Sequence, residues 1–279
     1  MDLRVRLRAV QLTRPQLVVS HRSAAALWGI EMLGRVERGP LEFIDPECVI
    51  RRQGEGMLVH RMALEKEYAV LRGGLRVTDV GRTLADLLRG GPRDEALVAV
   101  ESALTRRRVG GVRRPPLTTW SAIALALEAP MRGADRGRRW FRLADPNAGS
   151  PAETVARLRL HDAGLRPESQ AELLTPNGRR RYLDFLFRAE GLAVEIEGYA
   201  YHGSRESHRR DIARFNEVLQ CPEVRLLLRY TAADVFHRPG KMVEEIHAAL
   251  SKLRGGPGGP GGPGGPGGSR NASGPGRPS

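Results

Sequence analysis

The chain has 279 residues, room for about two domains of ordinary size, and a net charge of +13 that favours polyanionic partners such as nucleic acid. Only Lys66, Lys241 and Lys252 of its 45 basic residues are lysine, so a compositional arginine bias accounts for the charge equally well. Two distant cysteines, Cys48 and Cys221, exclude a disulfide framework and a paired-cysteine metal knuckle. The start MDLRVRLRAVQLTR interleaves arginine with apolar residues and lacks the core of a signal peptide, and no apolar run approaches the roughly 20 residues of a membrane span. A cytoplasmic protein with no membrane partner is the expectation.

In VVSHRSAAALWGI, Ser20 is placed to cap a short helix carrying Ala24, Leu27 and Trp28. In VTDVGRTLADLLRGG, Thr78 precedes a helix with Val80, Leu84, Leu87 and Leu88 along one side, ended by Gly90 and Gly91. PRDEALVAVESALTRRR follows, opened by Pro92 and with arginines in its last turn, where the helix dipole favours them. LEFID and MLVHRM read as short strands, so residues 1–116 are expected to form a mostly helical α+β domain. Residues 117–149 read as a basic helical connector. From Arg106 to Arg142 ten arginines stand against Glu128 and Asp135, densest at Arg106, Arg107, Arg108, Arg113 and Arg114. This run is either a solvated surface or a track for phosphates, and it carries few aromatic rings for stacking bases.

The pattern changes at Ser150. SPAETVARLRLHDAGL predicts a helix with Ser150 as cap, Pro151 in its first turn, Gly164 beyond its end, and Val155, Leu158 and Leu165 facing inward. ESQAELL predicts a strand, Pro176-Asn177-Gly178 a turn, and RYLDFLF a second strand with Leu183, Phe185 and Phe187 opposing Tyr182, Asp184 and Leu186. LAVEIEG is a third, with Val194 and Ile196 opposing Ala193, Glu195 and Glu197. SRESHRRDIARFNEVLQ predicts a helix with a stripe of Ile212, Phe215, Val218 and Leu219; VRLLLRY is a strand, and Thr231 caps one more helix toward Leu253. The order αβββαβα defines an α/β domain over 150–254. The repeating Gly/Pro run of 255–279 has too little apolar surface to offset its chain entropy and is expected to be disordered.

If Arg188-Ala189-Glu190-Gly191 makes the turn, Phe187 pairs with Leu192 and Asp184 faces Glu195 with Cβ atoms about 5 Å apart. Glu197 then follows about 7 Å along the same face. Like charges gathered this way gain the sheet nothing, whereas a divalent cation such as Mg²⁺ or Mn²⁺ suits carboxylate oxygens and activates water. An exposed sheet face neutralised by Arg180 or Arg210 is the alternative.

This stretch, RYLDFLF…LAVEIEGYAYHG…HRRDIARFNEVL…VRLLLRYTAADV, resembles the PD-(D/E)XK nuclease superfamily, and within it the branch related to very-short-patch-repair endonucleases. SHRSAAALWGI and VTDVGRTLADLL resemble an AbiE-type antitoxin-like region. The resemblance implies a restriction-endonuclease-like αβββαβ core and metal-dependent endonuclease activity, with DNA favoured, in defence, repair or mobile-element control. It places the metal on Asp184 and Glu195. Glu153 answers to the superfamily's helical glutamate, although Ser150 and Glu153 also read as a capping box. Glu197 stands where most of the superfamily has lysine. His202 reads as a general base or as surface decoration. Arg210 and Arg214 read as phosphate contacts or as a solvated helix face. The N-terminal region is expected to engage nucleic acid or a protein partner. The competing expectation is a non-catalytic, antitoxin-like or regulatory nucleic-acid-binding protein that keeps the nuclease fold as a scaffold.

Overall fold

Residues 2–34, 36, 39–48, 56–109, 112–197 and 205–255 are described in the computed structural model, with the side chains of 107–109, 112–114, 205–208, 210 and 211 outside that description. The chain runs α1 (Leu3–Thr13), β1 (Val18–Val19), α2 (His21–Trp28), β2 (Leu41–Asp45), β3 (Met57–Arg61), β4 (Ala69–Arg72), β5 (Leu75–Thr78), α3 (Val80–Gly90) and α4 (Arg93–Leu104). It continues through β6 (Arg107–Val109), β7 (Val112–Arg114), α5 (Trp120–Glu128) and α6 (Ala134–Phe141). Then come α7 (Pro151–Asp162), β8 (Glu168–Leu174), β9 (Arg180–Phe187), β10 (Leu192–Glu197), α8 (Arg205–Leu219), β11 (Leu226–Thr231), α9 (Ala232–His237) and α10 (Pro239–Arg254). The architecture is mixed α/β with two mixed sheets, and no helix among the described residues is long and apolar enough to cross a membrane.

The first sheet has the order β3-β2-β1-β5-β4. Its apolar side, Val19, Phe43, Val59 and Val77, packs on Ala24 and Leu27 of α2. This is more strand than the mostly helical expectation allowed. The missed hairpin is β4–β5, which turns through Gly73 and Gly74 at φ 57° and 77°, a conformation open to glycine at low cost. Helices α3, α4, α5 and α7 share a core of Leu84, Leu88, Leu97, Val100, Ile123, Leu127 and Leu158. The seam between α4 and α7 is also ionic. Glu101 pairs with Arg157 and accepts from Thr154 Oγ1 at 2.6 Å, while Arg93 meets Asp162 at 2.5 Å.

The second sheet has the order β11-β10-β9-β8 and is covered on both faces. Val155, Leu160, Phe185, Val194, Ile196, Val235 and Ile246 form one core with α7, α9 and α10. Ala171, Leu173, Leu183, Leu186 and Ala193 form the other with Val218 of α8 and Cys221 just beyond it.

Several local expectations are corrected. Leu183 does not share a face with Phe185 and Phe187 but packs with Leu186 and Ala193, because the alternation breaks at Asp184. On α8, Val218 is buried while Ile212 and Leu219 are 48% and 52% exposed, so the stripe does not face the core as a whole. The arginines after Leu104 fall outside α4, since Thr105 turns extended and its hydroxyl bonds back to the Glu101 carbonyl at 2.8 Å. The last helix is two, α9 and α10, broken before Pro239, which disfavours helical backbone at Arg238. Ser20 is the N-cap of α2 without a side-chain cap bond, and Asp79 rather than Thr78 caps α3. The Gly/Pro tail beyond Gly255 lies outside the described residues.

Candidate active site

The site begins at the first turn of α7. Ser150 Oγ accepts from the Glu153 amide at 3.2 Å, but the returning half of the capping box is displaced by one residue. Glu153 Oε2 accepts from the Gly149 N–H at 2.8 Å and also from Gln170 Nε2 at 2.9 Å. Gly149 permits this, since a Cβ there would stand 3.1 Å from both Glu153 oxygens.

Asp184 lies where β9 loses its neighbours on both sides. The β9–β10 ladder pairs Phe187 with Leu192, Leu186 with Ala193 and Phe185 with Val194, the register expected from the hairpin, and stops one pair short of Asp184 and Glu195. Asp184 Oδ2 takes the Ile196 backbone N–H instead, at 2.7 Å. On the other side, β8 pairs Ser169 with Phe185 and Ala171 with Leu183, and the pair between them, Gln170 with Asp184, is missing. Gln170 has φ 47°, and its amide bridges Asp184 Oδ1 at 3.1 Å to Glu153. A glutamine in a left-handed conformation inside a strand costs on the order of 1–3 kcal/mol. Nothing in the sequence pattern singles Gln170 out, and it is the residue that sequence reasoning missed here.

Glu195 is only 4% exposed. Its neutralising partner is neither Arg180, which pairs with Glu172, nor a solvated surface. Arg214 on α8 reaches it, with Nη2 at 3.0 Å from Oε1 while donating to the Tyr182 carbonyl at 2.8 Å. Burial pushes the Glu195 carboxyl up to about 8, the Asp184 charge adds to that, and Arg214 opposes it. Burial also raises Asp184, against the Ile196 and Gln170 hydrogen bonds, and raises Glu153, where the Asp184 charge is the second cause. The Asp184 charge thus makes ionisation of Glu153 and Glu195 harder, whereas Asp184 itself is eased by its hydrogen bonds, the one with Glu195 included.

Glu197 is placed differently. It pairs with Arg229, whose guanidinium stacks 3.7 Å over the Phe215 ring, and takes no part in the hydrogen bonds joining Glu153, Gln170 and Asp184. His202 lies outside the described residues, as do the side chains of Arg210, Arg107, Arg108, Arg113 and Arg114. The backbone register of β6–β7 sets Arg107 opposite Arg114 and Arg108 opposite Arg113, and Arg106 beside them is exposed.

A second group arises in the first sheet. His21, Glu42 and His60 could hold a metal ion, their ligand atoms all lying within 4.8 Å of one another. Glu153, Asp184 and Glu195 are not gathered that tightly, because the Gln170 amide stands between the first two. The His21 group has no spacing signature in sequence, since its members come from α2, β2 and β3. No family model, curated protein or solved structure matches the chain.

Proposed function

We propose that residues 150–254 form a divalent-cation-dependent nuclease domain with a restriction-endonuclease-like core, hydrolysing phosphodiester bonds of nucleic acid, DNA in preference to RNA. The observation that carries this reading is the strand fork at Asp184, where two ladders give up a pair beside Glu153 and Glu195 and burial raises all three carboxyls. A core built only for stability would not gather them, since buried carboxylates cost several kcal/mol each unless compensated (roughly, in real proteins).

The donor set fits Mg²⁺ or Mn²⁺, being all oxygen and rich in carboxylate. Asp184 and Glu195 would hold the ion, with Glu153 completing the set. When bound, the ion supplies charge neutralisation at phosphorus and an acidified water for in-line attack. The remaining work belongs to the chain. Gln170 holds Glu153 and Asp184 in line, and the Ile196 N–H anchors the second oxygen of Asp184. Arg214 occupies Glu195 and must yield it, which frees a guanidinium for a substrate phosphate. Glu195 releases its proton as the cation enters. The paired arginines of β6–β7 offer a cationic stretch to the nucleic-acid backbone, and the antitoxin-like N-terminal region offers a surface to a protein partner.

The test is cleavage of DNA and RNA in Mg²⁺ or Mn²⁺ by the wild-type chain and by Asp184→Ala. Cleavage that depends on the ion and is lost in the variant supports the reading, and equal behaviour of the two proteins removes it. A second reading, a regulatory nucleic-acid-binding protein with the fold kept as scaffold, is favoured by Arg214, which already satisfies Glu195. It predicts retained, salt-sensitive binding with no cleavage by either protein.

A further inference from the structure

We propose that His21, Glu42 and His60 form a second metal site, for a transition ion of zinc's class, with its fourth position open to the cleft that these residues line. The site is independent of the nuclease reading, since it lies in the first sheet and shares no residue with the carboxylate fork.

The placement follows from the fold. Parallel pairing sets Glu42 beside Leu58 and Ile44 beside His60, so Glu42 and His60 are diagonal neighbours on one face of β2–β3. His21 comes down from the start of α2, held at φ 47°, a left-handed conformation that a β-carbon-bearing residue takes only under constraint. His60 Nε2 lies 3.5 Å and His21 Nδ1 4.0 Å from Glu42 Oε2. His60 Nε2 is buried and, despite that proximity, makes no hydrogen bond. A buried imidazole nitrogen aimed at a buried carboxylate without bonding it is a group waiting for a partner. His21 is 6% exposed, so its ring is withdrawn from solvent beside Glu42 and His60.

Two imidazoles and one carboxylate suit Zn²⁺ and its neighbours and not Mg²⁺, which prefers oxygen alone. Three protein ligands with one position free is also the composition of open, reactive zinc sites. The free position faces this cleft of about 940 Å³, whose wall includes Arg22, Arg89 and Arg136. Arg22 is paired with Glu95, and Arg82 and Arg89 flank Asp86, so the ion's excess charge favours an anionic fourth ligand.

Closing the site requires a defined movement. The two rings stack with centroids 3.7 Å apart and planes at 17°, and an ion cannot lie in both ring planes at once in that pose. Tetrahedral ligands at about 2.0–2.1 Å from the ion stand about 3.3 Å from one another. One ring therefore turns about χ2, and His60 has the room, being on the edge strand and partly exposed. The Ser20 hydroxyl, 3.0 Å from His21 Nδ1, gives up that nitrogen.

The experiment is titration of the full chain with Co²⁺, followed by visible absorption, and with Zn²⁺, followed by calorimetry. We expect one equivalent giving the intense d–d bands of four-coordinate cobalt, displaced by Zn²⁺, lost in His60→Ala and retained in Asp184→Asn. Loss in Asp184→Asn with retention in His60→Ala would assign the ion to the carboxylate fork and overturn the proposal. So would absence of the bands in the wild-type chain. Should His60→Ala not fold, imidazole proton resonances of the wild-type chain decide. Zn²⁺ shifts two of the seven histidines, and a spectrum with none shifted contradicts the site.

Discussion

Around α3 and α4, buried carboxylates are met by guanidinium groups: Asp86 lies between Arg82 and Arg89, Glu95 pairs with Arg22, and Glu101 with Arg157. At the second sheet, Asp184 and Glu195 lie close to Glu153 of α7, and Arg214 meets one of the three. Burial raises the carboxyls in both regions. The second cause separates them: at Asp86, Glu95 and Glu101 it is an arginine pulling the value down, whereas at Glu153 and Glu195 it is another carboxylate pushing it up. Buried charge that is compensated holds elements together, as between α4 and α7. Buried charge that is left to repel is a cost the fold carries for a ligand.

Removing a carboxylate should therefore have opposite signs in the two regions. Asp86→Ala leaves two buried guanidiniums without their anion and should cost about 3–5 kcal/mol in urea unfolding. Glu195→Gln should stabilise the metal-free chain at high pH. The folded pKa of Glu195 lies above its ordinary value of 4.5, so the stability it contributes is present below that pH and is lost as pH rises through about 8. The variant should match the wild type near pH 4 and exceed it at pH 9, by on the order of 2 kcal/mol. Equal destabilisation at both sites would erase the distinction.

Gln170→Ala should cost about 1 kcal/mol by removing the bridge between Glu153 and Asp184, and Gln170→Gly less, because glycine accepts the positive φ. Both should weaken Mn²⁺ binding, which separates positioning from strain. Arg180→Ala, in an exposed pair with Glu172, should change stability by no more than about 0.5 kcal/mol.

Much of the second sheet was legible because its signals are local. Ser150 and Pro151 open α7, Gly191 closes the β9–β10 turn at φ 70°, and Thr231 with Asp234 makes a capping box. Asp184 and Glu195 could be set against each other from that turn alone. Where local rules are broken, the reading failed. The alternation reverses at Leu183 because Asp184 leaves the ladder, and Gln170 adopts a conformation that glutamine does not signal. Glu197 shares a strand with Glu195, yet its partner, Arg229, comes from β11, across a crossover through α8. The His21 group joins residues from α2, β2 and β3 and exists only once the first sheet is assembled. Two misses were avoidable: Gly73-Gly74 marks a hairpin, and Pro239 marks a helix break.

The central claim is that Glu153, Asp184 and Glu195, where the Asp184 charge disfavours ionisation of the other two, are held for a divalent cation. Calorimetric titration with Mn²⁺ at pH 7, in two buffers of different ionisation enthalpy, tests it most directly. The account predicts binding that releases close to one proton, the one Glu195 holds in the metal-free chain, and loss of that release in Glu195→Gln. Mn²⁺ binding without proton release, or release unchanged in Glu195→Gln, would contradict it.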